Sequence, residues 1–175
     1  MNPKISLSMS FLDWALEILG ALFIIGTWYL LLTNFWVLPE QIPVHYDFWG
    51  NPNIYSNKKL IWLTPILMTA VYIGINFLNK IPHLLNYPIS VTEANALKLY
   101  TINLRTLRVI RVLIAGQLLY GKTGLIGISI GELSKLSTLQ MPIFLGGLAL
   151  TITISYLLMY QQRNIGKTVN SEVNR

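Results

Sequence analysis

Four stretches of the chain are almost continuously apolar, and polar segments broken by proline separate them. The first runs from Phe11 to Leu38, and after Glu17 it continues ILGALFIIGTWYLLLTNFWVL without a charge. Some 20 helical residues rise about 30 Å, the thickness of a bilayer's hydrocarbon core, so this run predicts a membrane span. A secretory leader would carry a basic start, a shorter apolar run and a small-residue cleavage site. Asp13 and Glu17 near the start and Phe35–Trp36 near the end predict instead a span that is retained. The second run, Leu60 to Leu78, has an interfacial tryptophan, Trp62, near its start. Its Pro65 falls in the first turns, where a missing N–H costs least. The fourth run, Met141 to Tyr160, opens with Pro142 in its first turn.

The third run is weaker. Too few apolar positions follow Arg111 before Lys122 to cross a bilayer, so the span must take in Arg105, Arg108 and Arg111, roughly from Tyr100 to Tyr120. These arginines recur every third residue and share one side of a helix. Arg105 and Arg108 are expected to snorkel to the headgroups and to accept lysine, whereas Arg111 lies deeper and needs a partner, water or a lipid phosphate. Asp13 and Glu17, four apart on one helical face, are expected at headgroup level, with the alternative that Glu17 dips inside toward a partner helix. Glu17 is the better placed acid for Arg111, because Glu93 is about five turns away on the same helix. Thr92 reads as the cap of that helix, with Glu93 in its first turn. The glycine-rich stretch from Gly121 to Gln140 reads as an amphipathic surface segment or a partly re-entrant loop. The expected fold is therefore all-α: a single membrane domain over residues 1–175, with four transmembrane helices and a proline-rich loop between the first two.

Composition agrees with that pattern. Apolar residues make up 53% and charged residues 11%, where soluble domains carry about 25% charged residues. The net charge of +6 comes from basic residues that flank hydrophobic runs, so no nucleic-acid partner is expected. Absence of cysteine excludes disulfides, thiol catalysis and cysteine-ligated metal. With four spans both termini lie on one side, together with Lys4, Lys80, Lys98, the three arginines, Arg163, Lys167 and Arg175. Lys58, Lys59, Lys122 and Lys135 lie on the other side. The positive-inside rule then places both termini in the cytoplasm and the first loop outside.

That loop, LPEQIPVHYDFWGNPNIYSNKK from Leu38 to Lys59, holds the candidate chemistry. Pro39, Pro43 and Pro52 forbid a regular helix across it, and Gly50 before Asn51-Pro52 suits a turn. His45 and Asp47 would face the same way in an extended strand. With Glu40 they are the cluster that could hold an ion or act in acid–base chemistry, but they are too few for a closed zinc site. The favoured use of His45 is to order the loop by hydrogen bonds, with peptide or headgroup binding next. Trp36, Tyr46, Phe48, Trp49, Tyr55 and Trp62 suit the headgroup zone, or alternatively a binding face for an amphipathic peptide. Lys58 and Lys59 could meet lipid phosphate. No nucleophile–base pair, phosphate loop or haem ligand pair is visible, so no catalytic residue, metal or other cofactor is assigned.

Leu38, Pro39, Ile42, Pro43, His45, Gly50 and Lys58 resemble, in order, the signature of the SdpI-like bacterial membrane proteins, which carry a domain of unknown function, DUF1648. Asp47 stands where that pattern usually has asparagine, and Ser56-Asn57 where it has glycine before the lysine. A second block, NYPISVTEANALKLY, is similar to many relatives at Asn86, Pro88, Glu93 and Asn95. Together the two blocks mark residues 38–111. The resemblance implies a multi-pass protein of the bacterial plasma membrane, immunity-like or sensor-like. Its partners would be membrane lipids and an envelope-acting peptide or another membrane protein, met at the 38–59 loop. The competing expectations are a membrane enzyme acting on a lipid substrate, with His45, Asp47 and Glu40 at its centre, and a small transporter subunit in which Arg111 lines the path.

Overall fold

The computed structural model describes residues 2–163. The tail charges Lys167 and Arg175 lie outside the described residues. Four long helices dominate: α1 Phe11–Asn34, α2 Leu63–Leu78, α3 Glu93–Ser129 and α4 Gln140–Gln161. With short flanking turns included, all four are long and apolar enough to cross a membrane, which suits the chain to a multi-pass membrane protein. Their outward faces carry large exposed apolar side chains such as Ile25, Leu32, Ile66, Ile143 and Leu150. Such a surface is stable against lipid and unstable against water.

Between α1 and α2 the chain does not stay irregular. Gln41–Tyr46 (β1) and Pro52–Asn57 (β2) pair antiparallel, so the fold is not purely helical. The prolines that argued against a helix are compatible with this pairing, because a two-stranded hairpin has edges where a missing donor costs nothing. Pro43 lies opposite Tyr55 and Pro52 opposite Tyr46, with the register slipping on either side of His45.

The central pillar is α3. Its 37 residues reach about 55 Å, well beyond a hydrocarbon core of about 30 Å. It packs chiefly against α1, then α4 and α2. Sequence reading stopped the third span at Tyr120, yet the helix continues to Ser129 through the stretch expected to be a surface segment or re-entrant loop. The glycines explain the difference. A Cβ at Gly124 would overlap the Leu136 side chain, and one at Gly127 would come within 2.9 Å of Leu133. The chain returning from α3 can therefore lie directly on the helix. Gly131, at φ 84, makes the reversal.

Three apolar clusters stack along this pillar. At the end that holds the N-terminus, Ala96, Leu99, Tyr100 and Met159 are covered by Ile5, Leu7, Tyr87 and Val91. There the Tyr100 hydroxyl donates to the Pro3 carbonyl at 2.8 Å, which ties down the N-terminal segment. In the middle, Ile24, Ala115 and Leu118 meet Phe23, Trp28, Met68 and Tyr72. At the opposite end, Leu31 and Leu38 pack with Ile42 of β1, Ile61, Leu125 and Ile126. The hairpin is thus a lid fixed across one end of the bundle by the buried Ile42.

The caps follow local chemistry. Ser10 and Asp13 form a reciprocal box at the start of α1, with Ser10 N donating to Asp13 Oδ2 at 2.9 Å and Asp13 N to Ser10 Oγ at 3.3 Å. At α3 the expected cap by Thr92 is made from the other direction. Thr92 N donates to Asn95 Oδ1 at 2.8 Å, while the buried Thr92 hydroxyl has no partner among the described residues. Glu93 sits in the first turn, as read from the sequence.

Candidate functional site

The hairpin is built from its base outward. Lys58 N donates to the Glu40 carbonyl at 2.9 Å, and its Nζ lies 3.1 Å from Glu40 Oε1 and 3.2 Å from the Leu38 carbonyl. The same ammonium stands over the Phe35 ring at 5.5 Å. Lys58 therefore fastens the foot of the hairpin to the end of α1 and is largely covered. It is not a free phosphate-seeking cation. Pro43 is fully buried beside Ile42, while Pro39 is exposed where the chain leaves Leu38.

Midway along the hairpin, His45 Nδ1 is 2.7 Å from Asn53 Oδ1. The ring thus donates from Nδ1 across the two strands, the loop-ordering use favoured by the sequence. Asn53, its partner, was not singled out there, because cross-strand partners follow from register and not from spacing. Asp47 does not join His45. Its Oδ1 accepts from Trp49 N and Asn51 N, each at 2.8 Å, and its Oδ2 from Asn51 Nδ2 at 3.0 Å. Glu40, His45 and Asp47 are accordingly spread over the foot, middle and tip of the hairpin. No group of three or more such side chains that could hold a metal ion occurs among the described residues.

Those bonds make the tip rigid. The amide of Asn51 holds the Asp47 carboxyl below the ordinary carboxylate range. A lowered value in the folded turn means that the carboxylate supports it above about pH 4 and that this support is lost as pH falls through the lowered value. Hydrogen exchange at the Trp49 and Asn51 amides is therefore expected to accelerate on acidification in the wild type and to stay flat in Asp47→Asn. Acceleration of the same size in both would assign the change to another group. Beside the tip, burial pushes the Tyr46 hydroxyl up to about 12.

Beyond Asp47 the turn exposes Phe48 (80%) and Trp49 (62%), which meet edge to face at 5.2 Å between ring centres. Val44, Ile54 and Tyr55 are further exposed apolar or aromatic residues on the strands. Gly50, at φ 83, closes the turn, and its carbonyl accepts from Leu136 N at 2.9 Å. The tip is therefore docked on the segment between α3 and α4.

Glu17 and Arg111 belong to a second constellation, at the end of the bundle that holds the N-terminus. Asp13 Oδ1 accepts from Arg105 Nε at 3.2 Å and from Arg108 Nη1 at 3.1 Å. Glu17 Oε1 accepts from Arg108 Nε at 3.0 Å and also from Arg111 Nη2. Arg111 further stands 4.9 Å over the Tyr72 ring. The expected Glu17–Arg111 pairing is present, Asp13 is buried within the bundle, and Arg108 is buried between both acids. The signal for this was available: acids at a spacing of four oppose bases at a spacing of three, which matches two helices packed side by side. Glu93 forms no ion pair among the described residues. Asn86 and Pro88 are exposed on either side of Tyr87, whose ring packs on Tyr100 at 5.4 Å, and Asn95 serves the α3 cap.

Residues 22–69 match the family described as a domain of unknown function, DUF1648. The match begins within α1, takes in the whole hairpin and ends within α2. No curated protein and no solved structure matches the chain.

Proposed function

We propose that this chain is a membrane-embedded recognition protein of the bacterial plasma membrane, and that the hairpin is its receiving surface. The observation that carries the reading is the rigid, exposed Phe48–Trp49 pair at a turn locked by Asp47. Aromatic rings held in place supply contact area at small entropic cost, and an amphipathic peptide presents the complementary apolar stripe. The hairpin also has unpaired strand edges that can accept an extended segment. Both termini lie in the cytoplasm in this reading and the hairpin lies outside, as the distribution of lysine and arginine favours. The likeness of the Leu38–Lys59 stretch to SdpI-like proteins supports a reading as an immunity-like or sensor-like response to an envelope-acting peptide.

Binding of a fluorescent amphipathic helical peptide to the full chain in nanodiscs tests this. Replacing both Phe48 and Trp49 by serine is expected to weaken binding at least about tenfold, with the melting temperature unchanged, since neither ring is part of an apolar cluster. Undiminished peptide binding by the double variant would end the proposal. Loss of lipid-surface affinity alone, with no peptide bound by the wild type, would reduce the tip to a membrane anchor. A reading as a lipid-modifying enzyme has less support, because His45 and Asp47 each serve the hairpin's own hydrogen bonds.

A further inference from the structure

At the opposite end from the hairpin a cavity of about 470 Å³ opens between the N-terminal part of α1, the end of α2 and the lower half of α3. Asp13, Glu17 and Arg108 form one wall, and Asn76, Asn79 and Lys80 form another. The ion-pair network to which this wall belongs does not balance, although of its arginines only Arg108 lines the cavity. Asp13 and Glu17 carry two negative charges, while Arg105, Arg108 and Arg111 carry three positive ones in the same network. Lys80 adds a further cation at the rim, its Nζ 5.2 Å from the Phe77 ring centre. Asp13 accepts from Ser10, Arg105 and Arg108, and Glu17 accepts through Oε1 from Arg108 and Arg111. Surplus positive charge in a medium of low dielectric requires a counter-charge nearby. A further feature fits an oxygen-rich one. Asn79, on the cavity wall, holds both its amide nitrogen and its amide oxygen buried with no partner among the described residues. Buried polar atoms are seldom left in that state.

We propose that this cavity binds a phosphate-bearing anion, with Lys80 and the Asn79 amide as its direct ligands and the Arg108 side of the ion-pair network as its electrostatic wall. The phosphate belongs either to a phospholipid headgroup or to a free phosphate, which present the same charged oxygens to these donors. The site is separate from the hairpin and does not depend on what the hairpin binds.

Two labelled probes distinguish the sources: phosphatidylglycerol and inorganic phosphate, each equilibrated with the purified full chain in detergent. Saturable retention of the lipid that excess inorganic phosphate does not displace supports a headgroup site. Saturable binding of inorganic phosphate supports a free-ion site. In either case Lys80→Gln combined with Asn79→Leu is expected to weaken binding about tenfold or more, and Lys80→Arg alone to retain it. Because Lys80 is exposed and takes no part in the ion pairs, Lys80→Gln alone keeps the test decisive if the double variant fails to fold. Binding of neither probe, or equal binding by wild type and Lys80→Gln, would overturn the assignment.

Discussion

Replacing Asp13 by alanine is expected to destabilise the chain by about 3–5 kcal/mol, more than removal of any one of the arginines it faces. Asp13 is buried and accepts hydrogen bonds from Arg105, Arg108 and Ser10. Without it, the buried Arg108 and Arg111 must share the single carboxylate of Glu17, and the partly exposed Arg105 loses its acidic partner. The α1 cap is lost at the same time, which adds about 1 kcal/mol. Removing Arg108 has the opposite effect on the balance. Arg105 still faces Asp13 and Arg111 still faces Glu17, so two paired charges of each sign remain, and Arg108→Leu is expected to cost under about 2 kcal/mol. Arg108→Lys is expected to be worse than Arg108→Leu, since one ammonium keeps the surplus charge yet cannot span both acids as Nε and Nη1 do. Asp13→Asn separates charge from capping and should fall close to the alanine variant. Thermal unfolding of the purified variants in one detergent checks the order. Equal losses for Asp13→Asn and Arg108→Leu would show that surplus positive charge does not govern this network.

That network also marks where sequence reading succeeded and where it stopped. The first, second and fourth spans were legible because lipid-facing helices need uninterrupted apolar runs, and nothing in their surroundings overrides that requirement. The third span was partly hidden, because α3 buries its arginine side against α1 and so does not need to be apolar there. Snorkelling was the reasonable expectation for Arg105 and Arg108 taken alone. Arg108 is instead buried between Asp13 and Glu17, on a helix far away in sequence, while Arg105 meets Asp13 and keeps a partly exposed side chain. The hairpin was concealed by its own prolines. Pro39, Pro43 and Pro52 argue against a helix and against a central strand, but they leave open a two-stranded ribbon whose donors need no third strand. His45 and Asp47 were singled out as polar residues of that loop. Their separation into a cross-strand bond and a turn cap depends on the register slips around His45, and residue spacing does not encode those.

Gly50 joins the hairpin to the rest of the fold, and Gly50→Ala is expected to undock its tip. Two independent costs arise. The residue stands at φ 83, a left-handed conformation that costs a side-chain-bearing residue about 1–2 kcal/mol. An added Cβ would also overlap the Leu136 carbonyl oxygen. That oxygen is backbone and cannot rotate aside like the end of a flexible side chain, so the turn must move off the α3–α4 segment. The hydrogen bond from Leu136 N to the Gly50 carbonyl is lost as it does. The four helices do not depend on this contact, so membrane insertion and overall melting should be nearly unchanged. Hydrogen exchange at the Leu136 amide should rise by about tenfold or more, and peptide binding should fall as it does in the Phe48 and Trp49 double variant. Gly50→Asn distinguishes the two costs, because asparagine tolerates the left-handed region but still carries a Cβ. Damage equal to that of alanine would assign the effect to the overlap with Leu136, and a milder effect would assign it to backbone conformation. Unchanged protection of the Leu136 amide in Gly50→Ala would show that the tip is not held at this point, and the rigid presentation of Phe48 and Trp49 would lose its support.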